Sequence, residues 1–270
     1  MHEAELLTAQ RSYYRARAPE YDAWWHRQGR YDRGPDANAR WFAEAADLEQ
    51  ALAKFCPRGE ILELACGTGL WTSVLASHAR HLTAVDAAPE MIALNKSRLR
   101  DAAVEYVEAD LFEWRPKPRG YDSCFFAFWL SHVPEGRFEA FWKMVGMALR
   151  PGGRVFFIDS DRSDRSTASD HCLPPADDGT LLRRLDDGRE YCIVKRFYAP
   201  ERLESRLADL GWQFRIQRTG EFFIYGAGER ILARNALPPW WGRSDVRWRQ
   251  FRQSRLRHRG DSSHPRPGPL

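Results

Sequence analysis

The sequence predicts an α/β fold in which a Rossmann-like, mostly parallel sheet carries helices on both faces. The turn Glu63-Leu64-Ala65-Cys66-Gly67-Thr68-Gly69 follows a short apolar run and precedes an apolar-periodic stretch. This strand, glycine turn and helix are the layout of a nucleotide-binding crossover. Strand-like and helix-like patterns then alternate along the chain, which favours a parallel sheet. A length of 270 residues suits one sizeable domain.

The region before the glycine turn, residues 1–58, is predicted to be an N-terminal helical cap. It opens with an amphipathic stretch from Glu3 to Arg17, followed by a link rich in tryptophan and tyrosine. A second helical pattern from Asp36 to Phe55 places its apolar side chains on one stripe, as a helix packed on a sheet does.

The central elements follow in regular order. Strands are predicted near 60–65, 81–85, 103–108, 121–128 and 153–159. Helices are predicted near 70–79, 89–99 and 135–149, the last ending at a strong stop and turn, Arg150-Pro151-Gly152-Gly153.

After the fifth strand the pattern breaks, and residues 160–198 are predicted to be a loop and an inserted β-hairpin. The hairpin strands, 181–185 and 190–198, flank the turn Asp186-Asp187-Gly188. A helix over 200–210 and two closing strands, 212–218 and 222–225, complete the body. The hairpin is interpreted either as a lid that recognises an acidic or phenolic group, or as a solvated extension of the sheet.

The remaining residues, 238–270, form an Arg- and Pro-rich tail that is predicted to be partly disordered. The net charge of +4 comes largely from this tail, so the charge alone does not indicate nucleic-acid binding. Five scattered cysteines without a C-x-x-C pair suggest reduced thiols, and neither a metal site nor a disulfide framework is expected. With no secretory or membrane-spanning pattern, the expected location is cytoplasmic.

Two interpretations compete for the glycine turn. A dinucleotide fingerprint requires a third glycine, but Thr72 stands at that position and the bulky Trp71 lies inside the motif. An acid four residues before the first glycine, and a second acid, Asp86, after the next strand instead resemble motif I of class I S-adenosylmethionine-dependent methyltransferases. Over residues 13–159 the chain is similar to the small-molecule kind, type 11 or ubiquinone/menaquinone biosynthesis. The resemblance implies a seven-stranded methyltransferase sheet with an antiparallel last strand, in a domain spanning 1–237.

The resemblance also implies S-adenosylmethionine as the cofactor and assigns contacts to it. Ala65, Gly67 and Gly69 would line its methionine and ribose parts, with Glu63 near its amino group. Asp86 would accept the ribose hydroxyls. The expected adenine contacts are Met91, which would stack on the ring, and the pair Asp110-Leu111, which would read its edge.

The run Arg17-Ala18-Pro19-Glu20-Tyr21-Asp22 resembles the entry segment of this family. By that resemblance Tyr14 and Tyr21 would donate hydroxyls to the cofactor's carboxylate, and Arg17 would pair with it. The alternative is that this segment is only an aromatic helical cap on the sheet.

The segment after the fourth predicted strand is where class I enzymes place their reaction-specific residues. It lacks the N/D-P-P-Y/F motif of amino methylation of nucleobases, and it has no cysteine beside a proline. It does contain His132, a candidate general base, because a histidine titrates near neutral pH. The alternative is that His132 caps the following helix or binds the cofactor. Phe128 and Trp129 are predicted to wall the substrate pocket.

The sequence therefore predicts a methyltransferase that acts on an oxygen or nitrogen of a small, aromatic or apolar metabolite, as a monomer or homodimer. One alternative is an RNA or DNA methyltransferase that uses the basic tail to hold phosphates. Another is a non-catalytic, cofactor-binding accessory protein.

Overall fold

The computed structural model describes residues 2–99, 103–171, 173 and 179–231. Its centre is a seven-stranded sheet of order β3-β2-β1-β4-β5-β9-β8, in which β9 is antiparallel to both of its neighbours. The strands are β1 Gly59–Leu64, β2 Ala79–Asp86, β3 Val104–Glu108, β4 Tyr121–Ala127, β5 Leu149–Ser160, β8 Trp212–Arg218 and β9 Phe223–Arg230. This confirms the predicted seven-stranded, Rossmann-like sheet with an antiparallel last strand.

Seven α-helices accompany the sheet within the described ranges. They are α1 Glu3–Arg17, α2 Tyr21–Trp25, α3 Pro35–Phe55, α4 Thr72–Ala76, α5 Pro89–Arg98, α6 Phe138–Ala148 and α7 Pro200–Asp209. The first three form the N-terminal helical cap that the sequence predicts. Of the described helices, none has both the length and the apolar character that a membrane crossing requires.

Alternating side chains of the strands build two apolar layers on opposite faces of the sheet. Phe126 and Phe157 belong to the layer that contains Trp142 of α6. Their neighbours Phe125 and Phe156 belong to the layer that contains Trp41 of α3. Burial on both faces explains why these strands read as continuous apolar runs.

The hairpin forms a separate two-stranded sheet, β6 Thr180–Arg184 and β7 Glu190–Val194, which we call the insertion hairpin. A small apolar cluster joins it to α1: Tyr13 packs with Leu181, Leu185 and Ile193. The insertion hairpin is therefore packed against the helical cap as a sheet separate from the main one, and its role as a lid stays a prediction.

Several local predictions differ from the structure. The second hairpin strand, predicted over 190–198, ends at Val194. The helix predicted over 70–79 is only Thr72–Ala76, because Ala79 already pairs with Gly59 as the first residue of β2. The turn predicted at residues 150–153 lies inside β5, where the register with β4 shifts and Gly152 has a φ of +78°. The tail predicted over 238–270 lies outside the described residues, and the domain boundary at 237 stays a prediction.

Candidate active site

The glycine turn lies at the carboxyl end of β1, next to β4, where the strand order reverses. Ligands of open α/β sheets bind at this switch point. Gly67 has a φ of +51°, and a Cβ placed on it would meet nothing within 4 Å. Gly69 has a φ of +90°, and its Cβ would lie 2.5 Å from Asn95 Oδ1. Gly67 therefore leaves space for a ligand, whereas Gly69 permits close packing of the turn against α5.

Asp86 ends β2 and links the glycine turn to the loop that follows β2. Its Oδ2 accepts a hydrogen bond from the Gly67 N–H at 2.9 Å, and its Oδ1 accepts one from the Ala88 N–H at 2.9 Å. Burial raises the pKa of this carboxyl above its usual value, while the backbone hydrogen bonds act in the opposite sense. Each oxygen keeps a lone pair for a ligand hydroxyl.

Two residues other than glycine adopt left-handed backbone conformations at this edge of the sheet. Ala65 follows β1 with a φ of +53°, and Phe128 follows β4 with a φ of +54°. Such conformations are costly for a residue with a Cβ, and they cluster at functional sites. Both residues line the cavity described next.

A cavity of about 760 Å³, the first cavity, opens over the glycine turn. Its walls include most of the predicted cofactor residues: Tyr14, Tyr21, Ala65, Gly67, Asp86, Met91, Asp110 and Leu111. Phe128, Trp129 and His132 line it as well. The fold thus brings residues from α1, α2, α5 and the carboxyl ends of four strands, β1 to β4, around one cavity.

Three predicted cofactor residues do not line the first cavity: Arg17, Glu63 and Gly69. Glu63 lies behind the turn and is only 2% exposed, and burial raises the pKa of its carboxyl to about 8. Its Oε2 has no hydrogen-bond partner among the described residues. The proposed contact of Glu63 with the cofactor amino group stays a prediction.

Helix α1 contributes residues that the sequence analysis missed. Leu7, Gln10 and Arg11 line the first cavity together with Tyr14. Arg11 forms an ion pair with Asp110, the residue predicted to read the adenine edge. The spacing i, i+3, i+4, i+7 from Leu7 to Tyr14 puts all four residues on one helix face. This periodicity in the sequence could have indicated that the other three residues share the surroundings of Tyr14.

His132 is buried and bonded at both ring nitrogens. Its Nδ1 lies 2.6 Å from the carbonyl oxygen of Val194, which can only accept, so the ring proton is on Nδ1. Its Nε2 then accepts from the Tyr14 hydroxyl at 2.8 Å. Burial, and next the nearby Lys195, hold the pKa of the ring well below its usual value, so it is neutral. Its role as a general base stays a prediction.

A second cavity of about 590 Å³ adjoins the first. Tyr14, Tyr21, Phe128 and His132 line both cavities. Trp24 adds an aromatic wall, its ring 4.8 Å from that of Phe128 between centroids. Trp129, predicted to contact substrate, lines the first cavity and not the second. Arg17, predicted to bind the cofactor, lines the second cavity.

The comparisons with known proteins agree with this geometry. A family model described as a methyltransferase domain matches residues 61–153. A ubiquinone biosynthesis O-methyltransferase from Xylella fastidiosa strain 9a5c is 32% identical over 109 residues, which are 38% of this chain and 42% of that protein. The chain therefore matches less than half the length of this curated relative.

Two solved complexes of DhpI match far more of the chain. The complex with SAH is 39% identical and covers 85% of this chain and 98% of that chain, with a TM-score of 0.68. The complex with SAM and HEP is 40% identical and covers 85% of this chain and 100% of that chain, with the same TM-score of 0.68. With nearly all of DhpI matched at this identity, and the methyltransferase motifs gathered around one cavity, the chain belongs to the class I S-adenosylmethionine-dependent methyltransferases of small molecules.

Proposed function

We propose that this chain binds S-adenosylmethionine in the first cavity and transfers its methyl group to an oxygen or nitrogen of a small molecule held in the second cavity. One observation carries the proposal: the two cavities meet at Tyr14, Phe128 and His132. A cofactor and an acceptor could thus lie side by side across one shared wall.

The residues of the first cavity suit the cofactor. Asp86 supplies two carboxylate oxygens for the ribose hydroxyls, and Gly67 leaves room for the backbone to approach the ligand. Met91 is 2% exposed and packs beside Ala88, so its thioether would form a floor for the adenine. Arg11 and Asp110 form an ion pair in the lining of the same cavity, where they would face the adenine edge.

The cofactor supplies an activated methyl group on a sulfonium. The protein therefore has little covalent chemistry to perform, and most of the rate is expected to come from holding the acceptor atom in line with the methyl group. Tyr14 and His132, fixed by their mutual hydrogen bond, would form a rigid wall beside that line.

The relatives support two parts of this proposal. DhpI has been solved with SAM together with a second ligand, HEP, which fits a chamber for two molecules. The Xylella relative is named as an O-methyltransferase, which supports oxygen as the acceptor atom.

The proposal is tested by incubating the protein with methyl-labelled S-adenosylmethionine and a small-metabolite extract, then following the label. Transfer to a small compound is expected, and Asp86→Ala should abolish most of it at low cofactor concentration. Parallel reactions with RNA and DNA test the nucleic-acid alternative. Cofactor binding without transfer to any small molecule would instead favour an accessory protein and refute the proposal.

A further inference from the structure

The second cavity brings together cationic side chains from three separate parts of the chain. Arg17 is the last residue of α1, Arg183 lies in β6, and Lys195 directly follows β7. All three line the second cavity, and none of them lines the first. We call these three residues the cationic cluster. Burying like charges together is unfavourable unless an opposite charge compensates them.

The described residues provide little opposite charge. Lys195 lies 3.6 Å from Asp159 Oδ1 and donates to the Ser131 hydroxyl at 2.9 Å. The Asp159 carboxylate also accepts hydrogen bonds from the backbone N–H groups of Ser131 and Ser160. It is therefore the carboxylate that partly compensates the charge of Lys195.

Arg17 is 8% exposed and its neighbours are aromatic. The rings of Tyr13, Tyr21 and Tyr31 lie 4.9 to 5.9 Å from its guanidinium carbon. Its Nε is buried and finds no hydrogen-bond partner in the described part of the chain. A buried, unpartnered donor of this kind points to a ligand.

Arg183 is likewise held by neutral groups. It donates to the Thr167 hydroxyl and contacts His171 Nδ1 at 3.3 Å. Among the ion pairs of the described residues, none involves Arg17 or Arg183. Two guanidinium groups therefore line this cavity without a carboxylate partner there.

Building on the proposed function, we propose that the acceptor is a small molecule bearing a carboxylate or phosphoryl oxyanion, bound by Arg17, Arg183 and Lys195, and methylated on an oxygen of that group. A guanidinium presents paired donors that match the geometry of such anions. The guanidinium groups of the second cavity have no carboxylate partner among the described residues, whereas Arg11 of the first cavity is paired with Asp110.

The step balances without a proton acceptor. An electron pair of the ionised oxygen forms the new C–O bond to the methyl carbon, and the C–S bond breaks with its pair kept by sulfur. The products are a methyl ester with one negative charge fewer and neutral S-adenosylhomocysteine. No proton moves, so His132, bonded at both nitrogens, needs no free lone pair.

The binding part of the inference is tested on protein saturated with S-adenosylhomocysteine, at constant ionic strength. Acetate and inorganic phosphate are the anionic probes, and acetamide is the neutral counterpart of acetate. We expect one or both anions to bind by calorimetry and to raise the thermal midpoint, with acetamide inert. Which anion binds more tightly distinguishes a carboxylate acceptor from a phosphoryl one.

Arg183→Met and Lys195→Met should each weaken binding of the preferred anion by about tenfold or more. The matched control is Arg184→Met, because Arg184 follows in the same strand but is 44% exposed and pairs with Asp170. Cofactor affinity should be unchanged in all three variants. Absence of anion binding to the wild-type protein, or wild-type affinity in both cluster variants, would overturn the inference.

A second measurement does not depend on any variant folding. The labelled product formed from a metabolite extract should have one negative charge fewer than its precursor. A carboxylate methyl ester would release labelled methanol in mild base, whereas a phosphoryl methyl ester would persist. A labelled product with unchanged charge, from a neutral hydroxyl or amine, would refute the oxyanion and leave the proposed function standing. Failure of transfer to every small molecule would refute the proposed function itself.

Discussion

Replacing Asp86 by alanine removes the acceptor on which cofactor binding should depend most. Each of its oxygens already accepts one backbone N–H and has a lone pair left for one ribose hydroxyl. Two hydrogen bonds to a charged acceptor are worth roughly 1.5–3 kcal/mol each. The dissociation constant for S-adenosylmethionine should therefore rise by about 10²–10⁴.

The same substitution also deprives the Gly67 and Ala88 N–H groups of their acceptor, so we expect a stability loss of about 1–3 kcal/mol. Calorimetric titration should therefore be run well below the thermal midpoint of the variant. Glu90→Ala is a suitable control, since it removes a nearby carboxylate that is 42% exposed and lies outside the first cavity. Wild-type affinity in folded Asp86→Ala would refute the assignment of the ribose site.

Three further predictions concern titratable groups. Burial lowers the pKa of Lys195 to about 8, so the KM for an anionic acceptor should rise as pH increases above about 8, and Lys195→Arg should flatten that profile. Burial raises the pKa of Glu63 to about 8, so its ionisation opposes folding above its lower unfolded-state pKa. Glu63→Gln should accordingly raise the thermal midpoint relative to wild type at pH 9 more than at pH 5, and an equal effect at both would contradict this. His132→Ala should lower turnover by less than about 10², whereas a general base would give ~10²–10⁴ in steady-state assays.

Much of the fold could be predicted because its signals are local. The glycine turn and the alternation of apolar patterns fix each element from its own residues. The errors arise where pairing across the sheet overrides local periodicity. Ala79 belongs to β2 because Gly59 lies opposite it, and residues 150–153 continue as a bulged strand because β4 lies beside them.

The first cavity was largely predictable for the same reason, since its residues follow strand ends in sequence motifs. The cationic cluster was not, because only the tertiary fold brings residues 17, 183 and 195 together. One signal was present: Arg183 stands between Leu181 and Leu185, both buried, on one side of a strand whose side chains alternate. That alternation distinguishes Arg183 from the exposed Arg184.

In the proposed reaction the first cavity holds the positively charged sulfonium and the second cavity holds the negatively charged acceptor. An oxyanion and a sulfonium lose their charges as the methyl group passes between them, so a site with little water favours the transition state over the separated ions. Cations that bind the acceptor group offset part of this gain, because they stabilise the ionised oxygen. The cationic cluster lies in the second cavity, and the wall shared with the first cavity consists of Phe128, Tyr14, Tyr21 and neutral His132. A neutral histidine locked to Tyr14 adds no further positive charge beside the sulfonium, whereas an imidazolium would.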